Sequence, residues 1–194
     1  MSLSPKKLNL GCGFYPKNGY LNVDINENYP VDLVHNLEEF PWPFKSAYFK
    51  EISIDHLMEH LTDLRSTLSE IDRILAPNGR VTIKVPHFSR GFSHWDHKHG
   101  FDVTFPLYVE NSVSGGFRGL NLLHEKTHIK WFAQRKLKRE KLSRLNYYSG
   151  LILGNIIDKL ANLNLFFTSK IMCFWVGGFD EIEFVFRKNE KFNN

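Results

Sequence analysis

Within its first 85 residues the chain reads as a succession of short extended runs, each stopped by glycine, proline or a polar cluster, with one amphipathic helix between the last two. Leu8 and Leu10 alternate with Lys7 and Asn9 and run into Gly11-Cys12-Gly13, a strand ending in a turn that needs glycine. Further strands are predicted over residues 20–25, 31–34 and 51–55, with Pro41-Trp42-Pro43 marking a loop. Leu61, Leu64, Leu68, Ile71 and Leu75 then recur at spacings of three and four, the stripe of a helix buried on one face. Thr62 is its predicted N-cap and Pro77-Asn78-Gly79 its stop. A fifth strand follows over residues 80–85. Strands alternating with helical segments imply a parallel sheet with right-handed crossovers, which binds ligands beyond the carboxyl ends of its strands. The loops beginning at Gly11, Asp24, His35, Asp55 and Pro86 therefore all open on one edge, where polar residues, glycine and histidine concentrate.

Beyond Pro86 the pattern loosens. Residues 86–121 are loop-rich, with a short helix expected after Pro106 and a break at Gly115-Gly116. A strand is predicted over 127–136, an apolar helical region from 142 to about 176, and a last strand alternating Ile182, Phe184 and Phe186 with Glu181, Glu183 and Arg187. The tail beyond Lys188 is expected to fray. With 194 residues, 42% of them hydrophobic, the chain can bury one full core, and the reading is a single α/β domain over 1–194 with an apolar helical insertion at about 142–178. Cys12 and Cys173 stand too far apart in sequence to imply a disulfide framework. The basic start lacks a signal-like apolar run and no tract is long enough for a bilayer, so a cytoplasmic location is expected.

A strand that stops at Gly-x-Gly lets backbone approach a ligand closely. Pro16 stands where the third glycine of a dinucleotide fingerprint would fall, which removes the pyrophosphate signature. Asp24, closing the second strand, can accept both hydroxyl hydrogens of a ribose, so nucleoside recognition survives. Asp32 keeps a nucleotide-dependent oxidoreductase as an alternative, although it sits at the start of a strand, the wrong end for a ligand.

Leu8-Asn9-Leu10-Gly11-Cys12-Gly13, Asn22-Val23-Asp24-Ile25, Pro41-Trp42-Pro43-Phe44, Asp55-His56-Leu57-Met58-Glu59-His60-Leu61 and Ile74-Leu75-Ala76-Pro77-Asn78-Gly79-Arg80 together resemble class I S-adenosylmethionine-dependent methyltransferases, most closely their small, type 11-like branch. The resemblance runs from about Leu8 to His87. It implies a Rossmann-like, seven-stranded, mostly parallel sheet with the last strand antiparallel. It also implies that Gly11, Cys12 and Gly13 line the methionine part and ribose of S-adenosylmethionine, that Asp24 holds the ribose hydroxyls, and that Ile25, Asn36 and Leu37 contact the adenine. Asp55 and His56 would face the methionine end and the transferring methyl, while Glu59 and His60 match a Glu-His pair whose role is more often structural.

Four of the nine histidines, His87, His94, His97 and His99, fall just after the fifth strand, joined by Asp96 and Asp102. Zinc would accept three histidines and an aspartate, but there is no cysteine pair and no His-x-x-x-His helix signature, and no metal is expected. The preferred reading is an acceptor-binding loop in which His97 takes a proton from a hydroxyl or amine, with His56 as rival and a purely structural histidine as the bland alternative. Net charge is only +4, yet residues 126–144 hold eight basic residues and one acidic. This basic flank beside an apolar helix, residues 126–160, suggests peripheral contact with a membrane surface; nucleic acid is disfavoured because no binding motif accompanies the charge. The expected activity is S-adenosylmethionine-dependent O- or N-methylation of a small or carrier-linked acceptor. A non-catalytic S-adenosylmethionine-binding module is the competing class, and neither the acceptor nor the oligomeric state is legible.

Overall fold

The computed structural model describes residues 6–190, and its strands sort polar and apolar side chains onto opposite faces of one sheet. These are β1 (Lys7–Leu10), β2 (Leu21–Asp24), β3 (Leu33–Val34), β4 (Phe49–Asp55), β5 (Leu75–Val85), β6 (Leu122–Lys130) and β7 (Glu181–Lys188). They form a 7-stranded sheet ordered β3-β2-β1-β4-β5-β7-β6. The strands from β1 to β5 pair in parallel, and β7 runs antiparallel to both β5 and β6, as the sequence reading expects. Residues 1–5 and 191–194, on which the basic start and the frayed tail partly rest, lie outside the described residues.

One face carries Leu8, Leu10, Ile52, Ile54, Val81, Ile83, Ile182, Phe184 and Phe186, all fully buried. Helix α1 (Leu64–Ile74) is amphipathic and buries Leu68, Ile71 and Ile74 in the same core. The opposite face is polar. Register places Asn22, Asn9, Ser53 and Thr82 side by side across four strands, and Asp55, Lys84, Glu183 and His128 in a neighbouring row. Strands covered by helices on both sides read as near-continuous apolar runs; alternation marks a sheet covered in that way on one side.

The connections explain the polar face. Among the described residues no helix joins β1 to β2, β2 to β3 or β3 to β4, so the expected alternation of strand and helix holds only at α1. In place of a first helix, residues 11–20 lie back on the sheet as a strap. Lys17 N–H donates to Asn22 Oδ1 at 2.7 Å, the Lys17 ammonium bonds Ser53 Oγ, and Asn9 Nδ2 donates to Asn22 Oδ1 at 2.9 Å. Asp32 completes the ladder by accepting from Asn22 N and Nδ2, at 2.7 and 2.9 Å. Buried polar side chains are tolerated when partnered, and here they replace apolar helix contacts.

Local boundaries shift for identifiable reasons. Asp63, not Thr62, caps α1, its Oδ1 accepting from Ser66 N at 3.0 Å, and the helix starts at Leu64. Strand β5 starts at Leu75, and the pairing with β4 jumps between Phe49 and Glu51, so Pro77-Asn78-Gly79 is accommodated as an irregularity inside the strand. Strand β6 covers 122–130 instead of 127–136, because the lysine- and arginine-rich stretch after left-handed Gln134 coils into α4 (Arg135–Lys141). Helix α5 (Arg144–Ala161) follows, capped by Ser143. The remaining apolar region is broken into α6 (Leu165–Phe167), a π-helical turn at Thr168–Met172 and α7 (Cys173–Trp175). Two further short helices, α2 (Phe88–Gly91) and α3 (Phe105–Val109), interrupt the loop after β5, the second with proline in its first turn as expected.

Candidate active site

The glycine loop forms the common wall of two cavities. Gly11 has φ +66°, and a Cβ there would lie 3.0 Å from Leu57 Cβ, so both its conformation and its surroundings require glycine. On one side lies a cavity of about 200 Å³ lined by Gly11, Asp24, Ile25, His35, Asn36, Leu37, Glu38, Leu57, His60 and Leu61. On the other lies one of about 810 Å³, bounded by Gly11-Cys12-Gly13, Lys17, Asp55, His56, Lys84, Lys130, Glu181 and the start of α4.

In the small cavity the carboxylate of Asp24 is fixed by backbone. Its Oδ2 accepts from Gly13 N at 2.9 Å and its Oδ1 from Asn26 N at 3.1 Å. Each oxygen keeps a further lone pair for a ligand hydroxyl. Ile25 is exposed and Leu37 buried, giving two apolar walls. Asn36 closes the turn after β3, Oδ1 accepting from Glu38 N and Nδ2 donating to Glu39 Oε1, both at 3.1 Å. Asp32 is spent on Asn22 at the far end of its strand, which takes from the oxidoreductase alternative the acid it needs.

The large cavity is strongly charged. Burial opposes the charge of His56, yet its hydrogen bond to Glu181 (3.2 Å) and its contacts with Glu59 and Asp55 push it up to about 10. Burial likewise works against Glu181, but His56 and Lys130 (2.8 Å) hold it at about 2. Lys84, 3.5 Å from Asp55, is kept above its ordinary value by Asp55, Glu181 and Glu183 in spite of desolvation. Burial, aided by Asp24, raises the Cys12 thiol, so this cysteine is no thiolate nucleophile.

The two histidines read as proton acceptors do not present a free basic nitrogen to a cavity. His56 is held as an imidazolium and cannot take a proton at neutral pH. His97 lines neither cavity: its Nδ1 bonds Gly91 O at 2.8 Å, and its ring stacks on His94 and meets the edge of His60. Burial lowers its pKa. His87 is fully buried, accepting from Ser89 N as the N-cap of α2 and donating from Nε2 to Ser169 Oγ at 2.9 Å. Sequence reasoning missed Glu181, Lys130, Lys84 and Lys17 as cavity residues. The available signal was the polar alternation of β5 and β7, which puts Lys84 opposite both Asp55 and Glu183.

Residues 8–83 match the family described as methyltransferase domain. The matched segment spans less than half of the chain and holds the glycine loop, Asp24 and the turn after β4, and the sheet around it has the Rossmann-like methyltransferase fold. The fold likeness extends past the matched segment. The chain is similar to a SAM-dependent methyltransferase from Archaeoglobus fulgidus (TM-score 0.53, 15% identity, 94% of this chain and 85% of that one). It is also similar to an S-adenosylmethionine-dependent methyltransferase from Mesorhizobium loti (TM-score 0.56, 12% identity, 94% and 90%). A third likeness is to the phosphoethanolamine N-methyltransferase 2 of Haemonchus contortus, solved with phosphomonomethylethanolamine and S-adenosylhomocysteine (TM-score 0.54, 16% identity, 98% of this chain and 50% of that one). At these identities the likeness is one of fold. No curated protein sequence matches the chain.

Proposed function

We propose that the enzyme methylates a small or carrier-linked acceptor at oxygen or nitrogen, with S-adenosylmethionine bound across the glycine loop. The observation that carries this reading is the Asp24 carboxylate, locked by Gly13 and Asn26 beside a slot with apolar walls and next to a second, zwitterion-like cavity. A nucleoside with an amino-acid tail needs this pairing of a hydroxyl acceptor and apolar slot with both ammonium and carboxylate partners. Asp24 would take the ribose hydroxyls, Ile25, Leu37 and Asn36 the adenine, and Gly11, Cys12 and Gly13 the turn toward the methionine end. Asp55 and His56, with Lys17 and Lys84, line the cavity where that end would lie.

When bound, the cofactor supplies a methyl group already activated on a positive sulfur. The chain's contribution is then alignment, holding an acceptor in line in a cavity whose volume suits a small ligand. The excess of cations in the lining, with Lys17, Arg135 and Lys136 added to the paired His56, Lys84 and Lys130, favours an anionic group on the acceptor. Calorimetry tests the cofactor site: Asp24→Ala weakens binding by roughly 1.5–3 kcal/mol, the range for hydrogen bonds to a charged group, without unfolding the domain. Unchanged affinity in that variant would remove Asp24 from the site.

The acceptor reading extends to a lipid surface. Leu145, Tyr148, Ile152, Ile156 and Leu160 recur at spacings of three and four along α5 and all are exposed, Leu145 at 80% and Ile152 at 64%, while Gly154, Ile157 and Ala161 face inward. Phe174 and Trp175 are likewise exposed, and basic α4 precedes the stripe. An outward apolar stripe beside a cationic helix suits the headgroup boundary of an anionic membrane. No described helix is long and apolar enough to cross a membrane. Co-sedimentation with anionic but not neutral vesicles, lost as salt rises, supports this reading; no binding to either at low salt overturns it.

A further inference from the structure

We infer that Glu59, His60 and His97 form a binding site for a divalent transition-metal ion. The side chain of Glu59 is 1% exposed, and neither of its carboxylate oxygens has a hydrogen-bond partner among the described residues. Buried carboxylates are costly unless paired or coordinated. His56 Nδ1 lies 3.3 Å from one oxygen, an ion-pair distance without hydrogen-bond geometry, and offers partial compensation only. His60 Nε2 stands 4.0 Å from the same oxygen, and ligand atoms of Glu59, His60 and His97 all lie within 4.8 Å of one another.

The outer partners of the two imidazoles decide what this cluster can hold. His60 Nδ1 is 3.0 Å from Asp96 Oδ2, and His97 Nδ1 is 2.8 Å from Gly91 O. A carboxylate and a carbonyl only accept, so Nδ1 carries the proton on each neutral ring, and the remaining lone pair sits on Nε2. Two imidazole lone pairs and a carboxylate paired at 3.3 Å with the His56 imidazolium thus share one small region. Acceptors meeting in this way repel unless a cation joins them. Carboxylate- and carbonyl-oriented histidines are the usual outer support of a metal centre.

Ligand chemistry narrows the ion. Two nitrogens and one oxygen favour zinc, cobalt, iron(II) or manganese over calcium or magnesium, which take mainly oxygen. Bonds of about 2.0–2.2 Å require the three groups to close in by a modest amount. Three protein ligands leave positions for water or an oxygen ligand. Since Glu59 and His60 follow β4 while His97 lies in the loop after β5, the ion would pin that loop to the turn before α1. His60 also lines the smaller cavity, so the ion would sit at its edge, but the inference rests on the ligand set alone and not on the cofactor reading.

The test is titration of tag-free, metal-stripped protein with Co²⁺, followed by its visible absorption, and competition with Zn²⁺. The expected result is saturation at one ion per chain and a raised melting temperature. Glu59→Gln and His97→Ala should each abolish saturable binding, and Asp96→Asn should weaken it by about 10–100-fold. His94→Ala should leave it intact, because that ring stacks parallel to His97 at 4.4 Å and does not converge on the cluster. Circular dichroism and the urea-unfolding midpoint report whether each variant is folded. Absence of stoichiometric binding by the folded wild-type chain overturns the inference whatever the variants do, as does unchanged binding in folded Glu59→Gln.

Discussion

The segment from β1 to β5 and the segment from Pro86 to Trp175 reach stability by different routes. In the first, each strand drives apolar side chains into one shared core, and the polar face is closed by bonds between residues that strand register sets side by side, such as Asn9 and Asn22. In the second, short helices are tied together by polar side chains that reach far along the sequence: His87 to Ser169, Trp131 N to Asp158, and Asn162 to Ile129. The first segment can be built from local pattern, whereas the second depends on partners that no local pattern names. Substitutions that separate the two routes follow, in decreasing order of expected effect.

Glu181 joins the segments, since it starts β7 and binds both His56 of the β4 turn and Lys130 at the end of β6. Glu181→Ala strands two cations and should cost roughly 3–5 kcal/mol in urea unfolding. A loss below about 1 kcal/mol would mean that water compensates His56 and Lys130, and that the segments are joined by apolar packing instead.

His87 should give the second segment a distinct response to acid. Burial holds its pKa at about 4, against 6.5 for an ordinary histidine. The unfolded chain therefore binds the extra proton first. This contribution is complete above about pH 6.5, falls between pH 6.5 and 4, and is flat below, a total of roughly 3 kcal/mol. Unfolding measured across that window in wild type and His87→Asn checks it: the variant should lose this part of the slope.

Asn162→Ala removes the bonds from Nδ2 to Ile129 O and Asp158 O and the acceptor for Ile129 N. A loss of about 1–2 kcal/mol is expected, together with faster amide exchange at Ile129. The smallest effect belongs to Ile152→Glu, on the exposed stripe of α5, which should change stability by less than about 0.5 kcal/mol while abolishing co-sedimentation with anionic vesicles. A large destabilisation there would place the stripe in a core or an interface.

The sequence reveals the strands and the glycine-loop edge because both depend on period and punctuation, whereas the antiparallel last strand is implied by the family resemblance. Alternation at Lys7 to Leu10, the Gly11 turn and the Leu64 to Ile74 stripe are local signals, and the structure reproduces them within a few residues. The absence of helices between β1 and β4 shows in the sequence only as the short run from Gly11 to Tyr20 that separates the first two strands. Its physical reason, the ladder from Asn9 through Asn22 to Asp32, appears once strands are side by side. Glu59 illustrates the same limit: beside His60 it reads as one of a pair, but its burial and lack of a partner belong to the fold. His97 lines neither cavity, and a loop's sequence does not say which way an imidazole turns.

The placement of β7 has a consequence for biosynthesis. It lies between β5 and β6, and its pairing with β5 runs from Arg80↔Arg187 to Val85↔Ile182. A nascent chain emerging amino end first would have β5 exposed along one edge until residues 181–188 have been made, and unpaired edges invite association with other chains. The apolar helices after β6 are made during that interval. Ribosome-stalled chains ending before residue 181 should therefore show rapid amide exchange at Val81 and Ile83, and protection should arrive only when β7 clears the exit tunnel.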